Sequence, residues 1–364
     1  MELKKLIYKL LLGLALVIAG AWLIRTVFDP SPYYGNDILE EKMKEFDRVA
    51  THYNCIFVGS SIVLRNQDPL FFDQQLPDSL GITTYNLGSG GTLPPETYVF
   101  AEQLIDRYND HIRVLLIELR DIGMFHPHHL HTLRKRYWMT AGELVFIARS
   151  NIASGIPSKL KRRNIRYYAV SLLERLFIID YFNDIFGHTV KDEESKEFKL
   201  NTLRNANLRG YLPLKGWSAR QEQFLMDTTK LSVMADLYRK YDTMEGLEAN
   251  PVHLERIIRL ISKAEEAGIR CYFVLNPKQS EVQMREAVAL AKGIPAGHLI
   301  DLADPDAAPE LYSAANSFSD NHFNLQGTEV FTKLIARRLL DLEALKGSSV
   351  QMQDENLIDH QPNR

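Results

Sequence analysis

Short apolar runs punctuate this chain, each stopped by turn-forming or polar residues. Cys55–Val58 ends in Gly-Ser-Ser, Thr83–Leu87 in Gly-Ser-Gly-Gly, and Val114–Leu119 (VLLIEL) in Arg-Asp. Cys271–Leu275 and His298–Leu302 repeat the pattern near the other end. Runs this short, apolar at consecutive positions, suit strands covered on both faces. Helical spacing fills the intervals. Pro95 fits the first turn of a helix carrying Tyr98, Ala101, Leu104, Ile105 and Tyr108 on one side. His253–Ala267 is amphipathic and closed by Gly268, and Asn324 can cap a last helix with Val330, Phe331, Leu334, Ile335 and Leu339 on one face. Strands alternating with helices predict an α/β fold: a mainly parallel sheet with helices on both faces.

The strands bunch at about 55–119 and 270–302, and the segments that hold them, 51–125 and 250–345, are read as one core. Between them, 126–249 has helical patterns and no strand rhythm, and is read as a helical insertion or cap. Its stretch Tyr167–Phe186 is apolar and aromatic, which suits a buried cap helix or a docking face for a membrane or membrane partner. Lys159, Lys161, Arg162, Arg163 and Arg166 precede it, as a solvated face or a contact for lipid phosphates or an anionic polymer. Residues 29–50 are a Pro-punctuated linker followed by a polar, helix-compatible stretch, and the polar residues 346–364 read as a disordered tail.

The first 28 residues read as a transmembrane anchor. Leu10 to Ile24 (LLLGLALVIAGAWLI) holds fifteen residues without a charge. Extended past Arg25 to Phe28, the run is roughly one bilayer crossing at ~1.5 Å per residue. Lys4, Lys5 and Lys9 precede it and should stay cytoplasmic, placing the remainder outside the cytoplasm. The rival is a cleaved signal peptide, for which Ala19-Gly20-Ala21 supplies small residues. The apolar Trp22-Leu23-Ile24 continues beyond that point and favours the anchor. The formal net charge is −3, with 43 Lys+Arg against 46 Asp+Glu, which argues against a polyanion-coating nucleic-acid binder. The two cysteines, Cys55 and Cys271, exclude a disulfide framework, and each opens an apolar run as a small core residue would.

Three loops carry residues that could do chemistry. Ser61 follows the first strand, where ligands of open α/β sheets sit, and its own backbone N–H can help hold an oxyanion. Asn86-Leu-Gly88-Ser-Gly-Gly follows the second strand, where glycine lets a backbone N–H approach a developing negative charge. Asp320-Asn-His322-Phe-Asn324 precedes the last helix. Histidine is the usual base for a serine hydroxyl, and a carboxylate orients it. Each signal alone is common.

Taken in order, Gly-Ser-Ser, then Asn-x-Gly, then His-Phe-Asn-x-x-Gly, the chain resembles the SGNH/GDSL hydrolase superfamily. It is most similar to the membrane-anchored branch that includes D-alanyl-lipoteichoic-acid export and alginate O-acetylation proteins. The resemblance covers about 170 residues, 51–125 and 250–345, plus the anchor. It implies a flavodoxin-like three-layer sandwich, with Ser61 as nucleophile, His322 as base, Asp320 as its orienting acid, and the N–H groups of Ser61 and Gly88 as the oxyanion hole. It implies an extracytoplasmic, inner-membrane esterase or O-acyltransferase acting on an acylated cell-envelope glycan or polysaccharide. A multi-spanning membrane acyltransferase is the implied partner, and no cofactor is implied.

Two features depart from that pattern. The family's Gly-x-Asn-Asp turn, whose Asn side chain completes the oxyanion hole, is replaced after VLLIEL by Arg120-Asp-Ile-Gly. The acid stands two residues before the histidine rather than three, where Ser319 sits. These departures keep a second reading open: a degenerate scaffold that binds glycan or a membrane acyltransferase without turnover. A third is an unrelated membrane-anchored α/β binding module. His126, His128, His129 and His131 cluster after the third strand; without an evident companion ligand they do not define a metal site. His126 and His128, with Asn86, are read as lining the substrate site.

Overall fold

The computed structural model describes residues 2–28, 33, 35–121, 133–177, 205–214, 219–277 and 279–358. Five strands form one parallel sheet: β1 (Cys55–Val58), β2 (Thr84–Asn86), β3 (Val114–Leu119), β4 (Arg270–Leu275) and β5 (Leu299–Asp301). Their order is β2-β1-β3-β4-β5, that of doubly wound flavodoxin-like sheets, whose ligands bind where the order reverses, between β1 and β3. Each strand matches an apolar run of the sequence to within a residue or two.

The described helices, in chain order, are α1 (Glu2–Phe28), α2 (Asp37–Val49), α3 (Ser61–Asn66), α4 (Pro69–Gln74), α5 (Glu96–Tyr108), α6 (Ala141–Ala153), α7 (Ser158–Leu176), α8 (Ala219–Met226), α9 (Thr229–Asp242), α10 (Pro251–Glu266), α11 (Glu281–Gly293) and α12 (Leu325–Ile358). Alternate strand residues feed two cores. Ile56, Val58, Leu115, Ile117, Cys271 and Phe273 pack against α2, α5, α10 and α11. Cys55, Phe57, Leu116, Tyr272, Val274 and Ile300 face α4 and α12. Both cysteines are free and buried.

The insertion is mainly helical where described, and several of its described residues pack into the sheet's core. Tyr137, Trp138, Met139, Phe146, Ile147, Tyr168 and Tyr238 join the first core. Residues 205–214 return to the sheet edge: the Arg209 carbonyl accepts from Asn86 N–H and Leu212 N–H donates to the Leu64 carbonyl. Gly210, at φ +79°, lies so close to the Asn86 carbonyl that no side chain fits there.

One boundary differs from the sequence reading. The backbone of α12 continues to Ile358, through the polar stretch read as a tail, because extending an existing helix costs far less than starting one. At the other end, Leu10, Leu11, Leu14, Leu16 and Trp22 of α1 stand exposed. Among the described residues no helix is long and apolar enough to cross a membrane, so α1 enters below as a proposed anchor only.

Candidate active site

The β1–α3 turn is built around Ser60 and Ser61. Ser60 caps α3, its Oγ accepting from Ile62 N–H at 3.2 Å, which leaves Ser61 as the first helical residue. The buried carboxylate of Glu118 on β3 accepts from Ser60 N–H at 2.6 Å, and the Arg120 guanidinium donates to Ser60 Oγ at 3.2 Å. A Cβ at Gly59 would collide with Val63 and Glu118, so glycine is needed for β1 and β3 to close on this turn. Glu118 therefore fixes the turn that presents Ser61.

His322 arrives from the far end of the chain. Its loop is closed by a bridge between Ser317 and Phe323 and tied to α3 by Phe323 N–H donating to Asn66 Oδ1 at 3.2 Å. His322 Nε2 and Ser61 Oγ lie 3.1 Å apart, and both residues are half-buried, within reach of a substrate.

On the other ring nitrogen the acid was expected to be Asp320. Ser319 Oγ, from the side chain three residues back, lies 3.4 Å from Nδ1. Ser319 also bonds Asn321 Oδ1 at 3.2 Å. With its hydrogen on Asn321, the serine oxygen can accept from an Nδ1–H. That is the tautomer in which Nε2 serves as the base. A hydroxyl orients the ring but carries no charge to stabilise an imidazolium. Ser319→Asp should raise ester turnover on the order of tenfold by placing a carboxylate at Nδ1; unchanged or lower turnover in a folded variant would count against Nδ1 as the nitrogen that this side chain orients.

The β2 turn corrects two expectations. Gly88 N–H is not free for an oxyanion: it donates to Asn86 Oδ1 at 2.9 Å, and the turn presses so closely on α3 that a Cβ at Gly88 would sit 2.6 Å from Leu64 N. Nor does Asn86 line a substrate site. It is fully buried, and its amide donates to the Val63 and Gln67 carbonyls at 2.7 and 2.8 Å. A side chain that pins α3 to β2 in this way has no donor left for substrate. His126, His128, His129 and His131 lie outside the described residues.

Beneath that turn lies Lys42, 1 % exposed. Its amine donates to the Asn86 carbonyl at 2.9 Å and to the Gly88 carbonyl. Its signal was legible: Leu39, Lys42, Met43 and Phe46 share the buried face of α2, and a lysine on an apolar stripe asks for buried acceptors. Burial pushes its pKa well below the ordinary lysine value, and the Arg65 guanidinium adds to this. The native amine thus binds a proton less readily than the unfolded one, so its contribution to stability rises with pH up to the ordinary lysine range. The stability of the wild type relative to Lys42→Met should increase between about pH 7 and 10. Denaturant melts of both proteins check this, and a difference that shrinks with pH would contradict it.

The following loop is clamped from the insertion. Arg134 donates to the Gly90 carbonyl at 2.6 Å, to Thr92 Oγ1 at 2.8 Å and to buried Glu96 at 2.9 Å, and Tyr137 completes the Glu96 carboxylate.

Comparison with protein-family models, curated proteins and solved structures gives no match for this chain.

Proposed function

We propose that this chain is an SGNH-like serine esterase or O-acyltransferase. The observation that carries the reading is the 3.1 Å approach of Ser61 Oγ to His322 Nε2 across 261 positions of sequence. Ser61 lies beyond the carboxyl end of β1, next to the reversal of strand order, where this sheet type binds ligands.

In this mechanism His322 Nε2 takes the Ser61 proton as Oγ attacks an ester carbonyl. Ser61 N–H, which has no intrahelical acceptor at the first position of α3, donates to the resulting oxyanion. Collapse expels the alcohol, which leaves with the proton from the imidazolium. Water or a sugar hydroxyl then attacks the acyl-enzyme with His322 again as base, giving hydrolysis or transfer. The exposed apolar residues of α1 and the lysines in its first turns support an anchor in the cytoplasmic membrane, with the sheet domain outside. That placement, with the family resemblance, supports an acylated envelope glycan as substrate and a multi-spanning acyltransferase as partner.

A second reading, the non-catalytic scaffold, draws on the closed Gly88 N–H and on the hydroxyl at Nδ1. Turnover separates the two. The full chain in detergent should hydrolyse an activated aryl acetate well above background, and Ser61→Ala should return it to background. Equal rates for the two proteins would support the scaffold.

A further inference from the structure

We infer that Arg120 is the side-chain donor of the oxyanion hole; this rests on the reading of Ser61 and His322 as an acyl-transfer pair. Arg120 is the first residue beyond β3, the strand paired to β1 through Val58 and Ile117. Its guanidinium therefore reaches across one strand spacing to the turn that holds the nucleophile. Nη1 lies 3.2 Å from Ser60 Oγ and 3.5 Å from Glu118 Oε1. The side chain is only 13 % exposed, and its buried Nε–H has no acceptor among the described residues.

That geometry exceeds what a structural ion pair needs. Glu118 is already engaged by Ser60 N–H through its other oxygen, and its contact with Arg120 is long for a tight pair. What remains is a partly desolvated cation beside the residue preceding Ser61, with Nη N–H groups beyond those used on Ser60 and Glu118. Meanwhile Gly88 N–H is spent on Asn86, so a hole made of backbone groups retains Ser61 N–H and lacks its second member. A tetrahedral oxyanion at Ser61 would give the remaining Nη N–H groups an acceptor. A guanidinium offers several donors in a fixed plane and needs no reorganisation as charge develops. Glu118 and Ser60 aim it.

The test measures aryl acetate turnover and the rate of Ser61 phosphonylation by a fluorophosphonate in the full chain, comparing wild type with Arg120→Lys, Arg120→Gln and Arg120→Gly. Gln and Gly should each lose on the order of 10²–10³-fold in kcat, with KM changed less than about threefold. Lys, which keeps the charge beside Glu118 but not the planar fork, should fall between them and wild type. Guanidinium ion added to Arg120→Gly should restore part of kcat, which a purely structural role would not allow. Thermal melts identify any variant that fails to fold; Arg120→Lys then carries the comparison. Wild-type kcat in folded Arg120→Gln, or a loss confined to KM, overturns the assignment of Arg120 alone. Absence of turnover and labelling in the wild type overturns the acyl-transfer reading and this inference with it.

Discussion

His322→Ala should lower ester turnover by about 10³–10⁴-fold, and the double variant Ser61→Ala/His322→Ala should be no slower than either single one. The reason is that the two groups act in one step. Without the imidazole, Ser61 Oγ keeps its proton and attacks as a weak hydroxyl. Without Oγ, the base at 3.1 Å has no proton to take. Independent contributions would multiply, and a double variant slower by the product of the two losses would refute a shared step. Thermal stability should change little in these variants, because both side chains are half-buried rather than core. Loss of activity that tracks loss of folding would have a different cause.

Gly327→Ala should damage both the fold and the chemistry, although it replaces glycine by alanine inside a helix. That exchange ordinarily stabilises a helix by about 1 kcal/mol. Here α12 begins with its third residue pressed against the preceding loop: a Cβ on Gly327 would sit 2.8 Å from the Asn316 carbonyl carbon and closer still to its oxygen. Backbone cannot rotate away as a side chain can. Asn316 also accepts from Asn324 N–H at 3.3 Å, and Asn324 Oδ1 caps Gly327 N–H at 2.9 Å. The clash therefore acts on the loop that carries His322. Overpacking costs about 1–3 kcal/mol, which exceeds the helix gain. A displacement near 1 Å at His322 is worth roughly 10²-fold in rate. Gly142→Ala, in the first turn of α6 with its nearest neighbour at 3.6 Å, is the control and should be neutral or mildly stabilising. Denaturant melts with turnover on all three proteins decide this; a stabilised, fully active Gly327→Ala would show that the loop does not depend on this contact.

The sheet was legible because buried parallel strands must be apolar on both faces, and Cys55–Val58 or Val114–Leu119 can be little else. The pairing of Ser61 with His322 was legible because each follows or precedes an element whose end the sequence marks. The rest depends on three-dimensional neighbours that spacing does not encode. Ser319, three residues before His322, places its hydroxyl at Nδ1, a contact that spacing alone does not single out. Gly88 N–H looked available until Asn86, two residues earlier, turned its side chain back on it. The insertion showed helical periodicity but no sign that Trp138 and Phe146 complete the same core as Ile56. Arg134 gave no local hint of the Gly90 loop it clamps, 44 residues away.

The central claim is that Ser61 is an activated nucleophile. Its most direct test treats the full-length protein with a fluorophosphonate and locates the adduct by peptide mass spectrometry. An adduct on Ser61 in the wild type, absent in Ser61→Ala and strongly reduced in His322→Ala, is the predicted result. A folded wild type that leaves Ser61 unmodified, or one that labels equally with and without the imidazole, would contradict the claim.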